Sequence, residues 1–368
     1  MLDLVWSLAD QSFSQSKSLG ILNMACSLLE HVQSHREVGH LHVLSNSDVS
    51  SHLSLAGGNV SESIHNEVNG SRLRRIWWDQ VSLYRRANSK ASSWLILPKG
   101  FTPLLGRPPC KLAPIIPDVM HDHYARYHPK VVNRFEQAYF AASQRASLKH
   151  ANAILTISDF SAKEITRVAK AWGITPPPIT SIGIGFRDEK PGVEADRDLG
   201  SILIPTSRWP HKRTTMALQY LDRWQQETRH RGPVHWIGSL PDDAERPTHP
   251  NWRYHARLPE SEYRTLMSTS GVLAYFSEYE GFGMPPVEAL LAGACPLVSD
   301  LPVTRDVMQE NAFFFLNGDY PTFSDALDKA LHLPYATKQQ WRKEVLARHT
   351  WESVTDKFVK ALMDGSSA

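Results

Sequence analysis

The feature that most constrains the fold of this chain is an alternation, kept up over most of its 368 residues, of short apolar runs with segments of helical period. Residues 2–8, 40–45, 93–97, 115–120, 153–157 and 179–184 are apolar stretches of strand length. Residues 19–34, 131–149 and 161–172 instead space their apolar side chains for a helix. In the first of these, Ile21, Leu22, Met24, Ala25, Leu28, Leu29 and Val32 fall on one face. A second alternation follows, with strands expected at 201–205, 234–237, 252–254, 272–276 and 294–298. Helices are expected at 214–228, 261–268 and 286–292, with further segments at 323–331 and 338–348 and a final helix at 351–364. Such a pattern predicts α/β architecture built on parallel sheets, and the length suits two domains. The polar stretch 192–200 reads as the linker. The expected division is therefore 1–190, 191–345 and a terminal helical segment 346–368. Residues 46–70, rich in Ser, Asn, Gly and His, read as a long loop. In two doubly wound domains, ligands are expected beyond the carboxyl ends of the strands.

Composition narrows the function classes. With 42% hydrophobic and 21% charged residues the chain is globular, and a net charge of +2 gives no reason to expect a nucleic-acid partner. The halves differ: residues 1–190 hold 21 Lys+Arg against 15 Asp+Glu, leaving 19 against 23 for the rest. Such asymmetry suggests that the first half meets an anionic partner. Much of it comes from Arg72, Arg74, Arg75, Arg85 and Arg86, interleaved with Ile76, Trp77, Trp78, Leu83 and Tyr84. This is either an amphipathic helix with a solvated basic face or a surface for anionic lipid headgroups or a phosphorylated acceptor. Cys26, Cys110 and Cys295 are far apart and odd in number, which fits a reducing compartment rather than a disulfide framework. The acidic, early-polar N-terminus does not resemble a signal peptide, and no apolar run approaches the roughly 18 residues needed to span a bilayer. A cytoplasmic protein, peripheral at most to the inner face of a membrane, is expected.

The chemistry concentrates in one segment. There is no phosphate-binding G-x-x-x-x-G-K-[ST], no G-x-G-x-x-G and no G-x-S-x-G. The Asp196/Asp198 pair falls in the expected linker, where solvated charge is the simpler reading. The pairs His40/His42 and His121/His123 lack a second cluster with which to hold a metal. Residues 277–289, Ser-Glu-Tyr-Glu-Gly-Phe-Gly-Met-Pro-Pro-Val-Glu-Ala, follow an apolar strand and open a helix. Gly281 and Gly283 permit a sharp turn and close approach to a ligand. Pro285 and Pro286 suit the first helical turn. The N–H groups there form an anion site suited to phosphate. Glu280 before the turn and Glu288 within the helix can each accept hydroxyl hydrogen bonds from a sugar or ribose diol. A buried glycine turn flanked by two surface glutamates is the alternative.

Glu280 to Glu288 resembles the E-x7-E element of retaining GT-B glycosyltransferases, and the stretch 280–293 resembles glycosyltransferase family 4 (group 1). The resemblance extends to Val119-Met120-His121-Asp122 with His128-Pro129, to residues 153–161, to Ile182–Gly185, to Thr206-Ser207-Arg208 with Lys212, and to Val298-Ser299-Asp300. It implies a GT-B fold, two Rossmann-like domains facing across a cleft. The N-terminal domain would bind the acceptor, the C-terminal domain would bind a nucleotide-sugar, and the last helix would pack back on the N-terminal domain.

Residue by residue, the resemblance implies that Glu280 contacts the sugar near its reacting carbon and Glu288 holds the ribose hydroxyls. Phe282, Gly283 and Met284 would offer backbone N–H groups to sugar and phosphate. Arg208 and Lys212 would neutralise the diphosphate, with Arg213 as an alternative to Lys212. His121, at the end of strand 115–120, would face the cleft. Gly20 would lie near the donor phosphates, although Leu19-Gly20 supplies one glycine where the family has a pair. Asp306 would cap or position.

The implied function is retaining transfer of a hexose, mannose-like favoured, from a nucleotide-sugar to a polysaccharide, lipopolysaccharide or lipid-linked glycan. No metal or other cofactor is implied, and a GDP-sugar is favoured over a UDP-sugar. The competing readings are a catalytically silent GT-B subunit that binds a partner, which should have lost a central residue, and a GT-B nucleotide-sugar epimerase or hydrolase.

Overall fold

A computed structural model describes residues 1–14, 19–87, 93–104, 110–188, 198–242, 244–247 and 249–366. The chain divides into two compact units, residues 1–185 with 349–368, and residues 186–348.

The second unit is one parallel sheet of six strands in the order β10-β9-β8-β11-β12-β13. The strands are β8 (Asp198–Thr206), β9 (Val234–Gly238), β10 (Trp252–His255), β11 (Ser270–Tyr275), β12 (Cys295–Ser299) and β13 (Phe313–Phe315). Chain order runs outward from β8 in one direction, then jumps to β11 and runs outward in the other. The order therefore reverses between β8 and β11, the kind of point at which open α/β sheets bind ligands beyond the carboxyl ends of their strands. β11 is buried along its whole length, as a central parallel strand covered on both faces must be. Ile202, Ile204, Val272, Ala274, Phe276 and Leu297 form the core with helices Thr214–Thr228 and Tyr320–Leu331. Three segments of this unit differ from expectation. Residues 198–200 belong to β8, so Asp198 is a strand residue, while 192–197 lie outside the described residues. Helix Pro302–Met308 and strand β13 had no separate signal, being too short to show a period.

The first unit holds a parallel sheet in the order β3-β2-β1-β4-β5 and a pair β6-β7. The strands are β1 (Leu2–Ser7), β2 (Val38–Ser45), β3 (Val60–Ile64), β4 (Trp94–Leu97), β5 (Lys111–Pro114), β6 (Ile154–Thr156) and β7 (Ile179–Ser181). A parallel bridge between Ile115 and Leu155 joins the two sets. The order again reverses, between β1 and β4. The long loop expected at 46–70 instead contains helix Ser47–Ser50, edge strand β3 and a 3₁₀ turn Asn66–Gly70. β3 is Val-Ser-Glu-Ser-Ile, whose polar majority suits an edge strand and hides it from an apolar pattern.

The strand expected at 115–120 is replaced by β5 four residues earlier and helix Met120–Tyr127. Pro114 and Pro117 cannot donate to a ladder, and the Asp118 carboxylate accepts the Met120 N–H at 2.8 Å, which starts the helix. The basic segment is helical from Arg72 to Arg86, with a π turn at Trp78–Ser82. It packs on the sheet through Trp78 and Leu83, against Leu95, Leu97 and Leu112.

Helix Trp351–Asp364 belongs to this unit. Trp351 stacks on His31 with ring centroids 5.1 Å apart, and Phe358 lies 5.5 Å from Trp6. The first unit accordingly ends at Gly185 rather than 190, and the chain returns to it at His349. Among the described residues no helix is long and apolar enough to cross a membrane.

Candidate active site in the second unit

The residues singled out in the second unit collect at the reversal of its strand order. The loop after β8 carries Arg208, His211 and Lys212; the loop after β11 carries Ser277 to Gly283. Polar bonds stitch these loops together. The His211 carbonyl accepts the Glu278 N–H at 2.8 Å and is within reach of the Ser277 hydroxyl at 3.0 Å. At the end of β12, the Ser299 hydroxyl accepts the Ser277 N–H at 3.0 Å and donates to Asn317 at 2.9 Å. Asn317 in turn donates to the Ser277 carbonyl at 2.6 Å. Four strand ends thus share one polar floor, which fixes the backbone around Glu280 before any ligand arrives.

Glu280 is 9% exposed. Its Oε1 accepts from the Lys212 ammonium at 2.6 Å and from the Ser277 hydroxyl at 2.8 Å. Burial pushes this carboxyl up, but the Lys212 ammonium, His211 and the hydrogen bonds from Lys212 and Ser277 outweigh it and hold the group below the ordinary carboxylate range. Lys212 also donates to the buried Tyr275 hydroxyl at 2.7 Å. Burial, and then the neighbouring Glu280 carboxylate, push the Tyr275 phenol well up, so it stays neutral. An ammonium has three protons. Two serve Glu280 and Tyr275, and the third can meet an anion. Arg213 pairs with Glu278 rather than Glu280, and its backbone is left-handed with φ 45°. Of the two candidates it is Lys212 that reaches the central carboxylate.

Gly283 starts helix Met284–Ala292 with φ 83°, a conformation costly for any side chain. Pro285 and Pro286 have no N–H, so the donors at this helix start are concentrated on the backbone of Gly283, Met284 and Val287. Phe282 is buried and stacks on Phe186 at 6.0 Å. Glu288 sits half-buried one helical turn on. It is close enough to the Tyr263 hydroxyl that, after burial, its charge helps push that phenol up. Arg208 is exposed; its N–H donates to Ser239 at 3.1 Å and its guanidinium lies 5.5 Å from the Trp209 ring centroid. The geometry joins Lys212 and Glu280 directly, places Phe282, Gly283, Met284 and Glu288 on the adjoining turn and helix, and leaves Arg208 at the rim. Asp306 lies in helix Pro302–Met308.

His121 and Gly20 belong to the first unit. His121 is in the first turn of helix Met120–Tyr127, not at a strand end. Its ring stacks on Phe140 at 3.8 Å, its Nδ1 is buried without a partner, and burial lowers it to about 4. Asp122 pairs with Arg126 at 3.0 Å and Arg167 at 2.7 Å. Gly20 is the second residue of helix Leu19–Val32, and the preceding residues 15–18 lie outside the described set. Tyr275, Ser277 and His211 were not foreseen. Ser277 and Tyr275 had a faint signal, flanking the end of the strand that leads to Glu280; the His211 contribution, largely its carbonyl, had none.

Residues 244–347, within the second unit, match the family model described as "Glycosyl transferases group 1". The chain is 24% identical over 223 residues to the O-antigen chain mannosyltransferase RfbU of Salmonella typhimurium, covering 59% of this chain and 61% of that one. It is 31% identical over 106 residues to the GDP-mannose:cellobiosyl-diphosphopolyprenol alpha-mannosyltransferase of Komagataeibacter xylinus, covering 27% of each. The chain thus spans about three-fifths of the first relative's length and about a quarter of the second's. Among solved structures, the sucrose-phosphate synthase of Thermosynechococcus elongatus superposes with a TM-score of 0.66 at 12% identity, covering 99% of both chains. The two parallel α/β units have the GT-B fold.

Proposed function

We propose that this chain is a retaining, metal-independent glycosyltransferase that moves a mannose-like hexose from a nucleotide-sugar, GDP-mannose favoured, to a glycan or lipid-linked glycan. The observation that carries the reading is the Lys212–Glu280 pair beside the Gly283 turn, at the reversal of strand order. Lys212, Arg208 and the N–H groups at Gly283 and Met284 neutralise the diphosphate and stabilise it as it leaves. Supplying that charge from side chains and a helix start is what the metal-independent reading rests on. Glu280, held ionised by Lys212, orients the hexose at its reacting carbon, and Glu288 takes the ribose hydroxyls. Retention is the stereochemistry that goes with the E-x7-E pattern: the acceptor hydroxyl attacks on the face from which the nucleoside diphosphate departs, and a phosphate oxygen takes its proton. Mannose is favoured by both relatives' activities, and the GDP carrier by the second's alone.

The first unit takes the acceptor and meets the inner membrane face from the cytoplasmic side. Arg74, Arg85 and Arg86 are exposed around Leu73 (77% exposed), Ile76 and Trp77 (60%), which share one helix face by their i, i+3, i+4 spacing. A face that is apolar and ringed by arginine suits an anionic lipid surface. Arg75 is half-buried, and the Arg72 side chain lies outside the described set.

The test of the donor reading is a panel of nucleotide-sugars and nucleoside diphosphates scored by thermal stabilisation, since a ligand bound only to the native state raises the midpoint by mass action. GDP and GDP-mannose should stabilise more than the UDP compounds, with EDTA present or absent. Stabilisation by none of them would reject the reading.

A further inference from the structure

Tyr275 closes β11, next to the reversal of the second sheet, and is 1% exposed. Around it in the chain, Val272, Leu273, Ala274 and Phe276 are apolar and buried. A phenol in such a place needs a partner for its oxygen. That partner is Lys212, whose ammonium donates to the hydroxyl at 2.7 Å and lies 4.8 Å from the centre of the same ring. The ring also meets the turn that opens helix Met284–Ala292. A Cβ at Gly283 would stand 3.8 Å from Tyr275 Cε1, an ordinary van der Waals distance. One rigid side chain thus stands beside both the cation and the helix start.

Lys212 needs such a guide. It ends the short 3₁₀ turn Pro210–Lys212, and its four-carbon stem is flexible by nature. Glu280, at 2.6 Å, engages one of the three ammonium protons. An ammonium held by one bond can still turn about it. The second bond, to Tyr275, stops that turning and so sets the direction of the third proton. β11 is paired on both sides, with β8 and β12, which keeps the phenol itself in place. Burial keeps the phenol neutral. A neutral oxygen orients the lysine without adding a negative charge that would repel an anion.

We infer that Tyr275 is a positioning residue: by holding the Lys212 ammonium beside the Gly283 turn, it directs the third ammonium proton, together with the helix N–H groups, at the diphosphate. The inference rests on the proposed reading of this site as one for a diphosphate. It adds that the lysine is ordered before the ligand arrives, so that binding does not have to order it.

The test uses the full chain and inorganic pyrophosphate, titrated by calorimetry with EDTA present. Tyr275→Phe keeps the ring and removes only the hydroxyl. It should melt cooperatively and bind pyrophosphate about tenfold more weakly than the parent, the worth of one hydrogen bond to a charged group. Lys212→Met should leave the weaker binding that Arg208 and the helix start supply. Adding Tyr275→Phe to it should change that binding less than about twofold, because a residue that acts through Lys212 has nothing left to act on. A merely structural effect would appear equally in both backgrounds. Undiminished binding in Tyr275→Phe, the same loss with and without Lys212, or a parent that binds no pyrophosphate would each overturn the positioning role. Pyrophosphate binding by a parent that releases no GDP from GDP-mannose would reject sugar transfer instead, which keeps the two failures apart.

Discussion

The Lys212 ammonium donates a 2.6 Å hydrogen bond to Glu280 Oε1, and the two residues come from loops that leave β8 and β11, adjacent strands at the reversal of the second sheet. Glu280 is mostly buried, while Lys212 keeps about a quarter of its side chain open. In the proposed reading the pair offers a diphosphate-sugar a cation and a carboxylate together.

Replacing Lys212 by Met should remove the charge that holds Glu280 ionised. Breaking a buried pair from one side costs about 3–5 kcal/mol, and with Lys212 about a quarter exposed a loss near 2–3 kcal/mol is expected by urea denaturation. Sugar transfer should fall about 10²–10³-fold, as for other lost transition-state donors. Unchanged stability would mean that the pair is not formed in solution.

Gly283 is the backbone position with least latitude. Gly283→Ala places a Cβ at φ 83°, which costs about 1–2 kcal/mol. Thermal melts should show that loss. Stabilisation by GDP should also shrink, because the same turn aims the helix N–H groups. A variant as stable as the parent and equally responsive to GDP would contradict the turn's role.

The protein should lose stability in mild acid through His121. Its folded value lies at about 4, below the unfolded value of about 6.5, so below pH 6.5 the unfolded state binds the extra proton. The histidine's contribution is complete above pH 6.5 and lost as pH falls toward 4, by up to about 3 kcal/mol. His121→Phe keeps a ring on Phe140 and should flatten the fall between pH 6.5 and 4. An unaltered pH profile would show that His121 is not buried neutral.

Vesicle binding separates the two components of the exposed helix. The parent should sediment with vesicles containing phosphatidylglycerol and far less with phosphatidylcholine alone. Leu73→Glu with Trp77→Glu should abolish binding at any salt. Arg74→Ala with Arg85→Ala and Arg86→Ala should weaken it at low salt and remove its salt dependence. Absence of binding by the parent would reduce the helix to a solvated face.

The alternation of strands and helices was legible wherever strands are central and apolar: helices Thr214–Thr228 and Trp351–Asp364 agree with the sequence reading at both ends. It failed where edge position or proline rules. β3 is mostly polar, and Pro114 and Pro117 turned the expected strand at 115–120 into a strand end and a helix, which moved His121 from a strand end to a helix. Around the candidate site, the turn at Gly283 and the start of helix Met284–Ala292 were readable because glycine, proline and helix start are local signals. The Lys212–Glu280 contact spans 68 residues and follows from sheet order, which no local pattern encodes.

The most direct test of the central claim is release of GDP from GDP-mannose by the parent and by Glu280→Ala, in the presence of a lipid-linked glycan acceptor and EDTA. The account predicts turnover by the parent, a loss of at least about 10²-fold in the variant, and GDP binding retained in both. Equal turnover by the two proteins would contradict it.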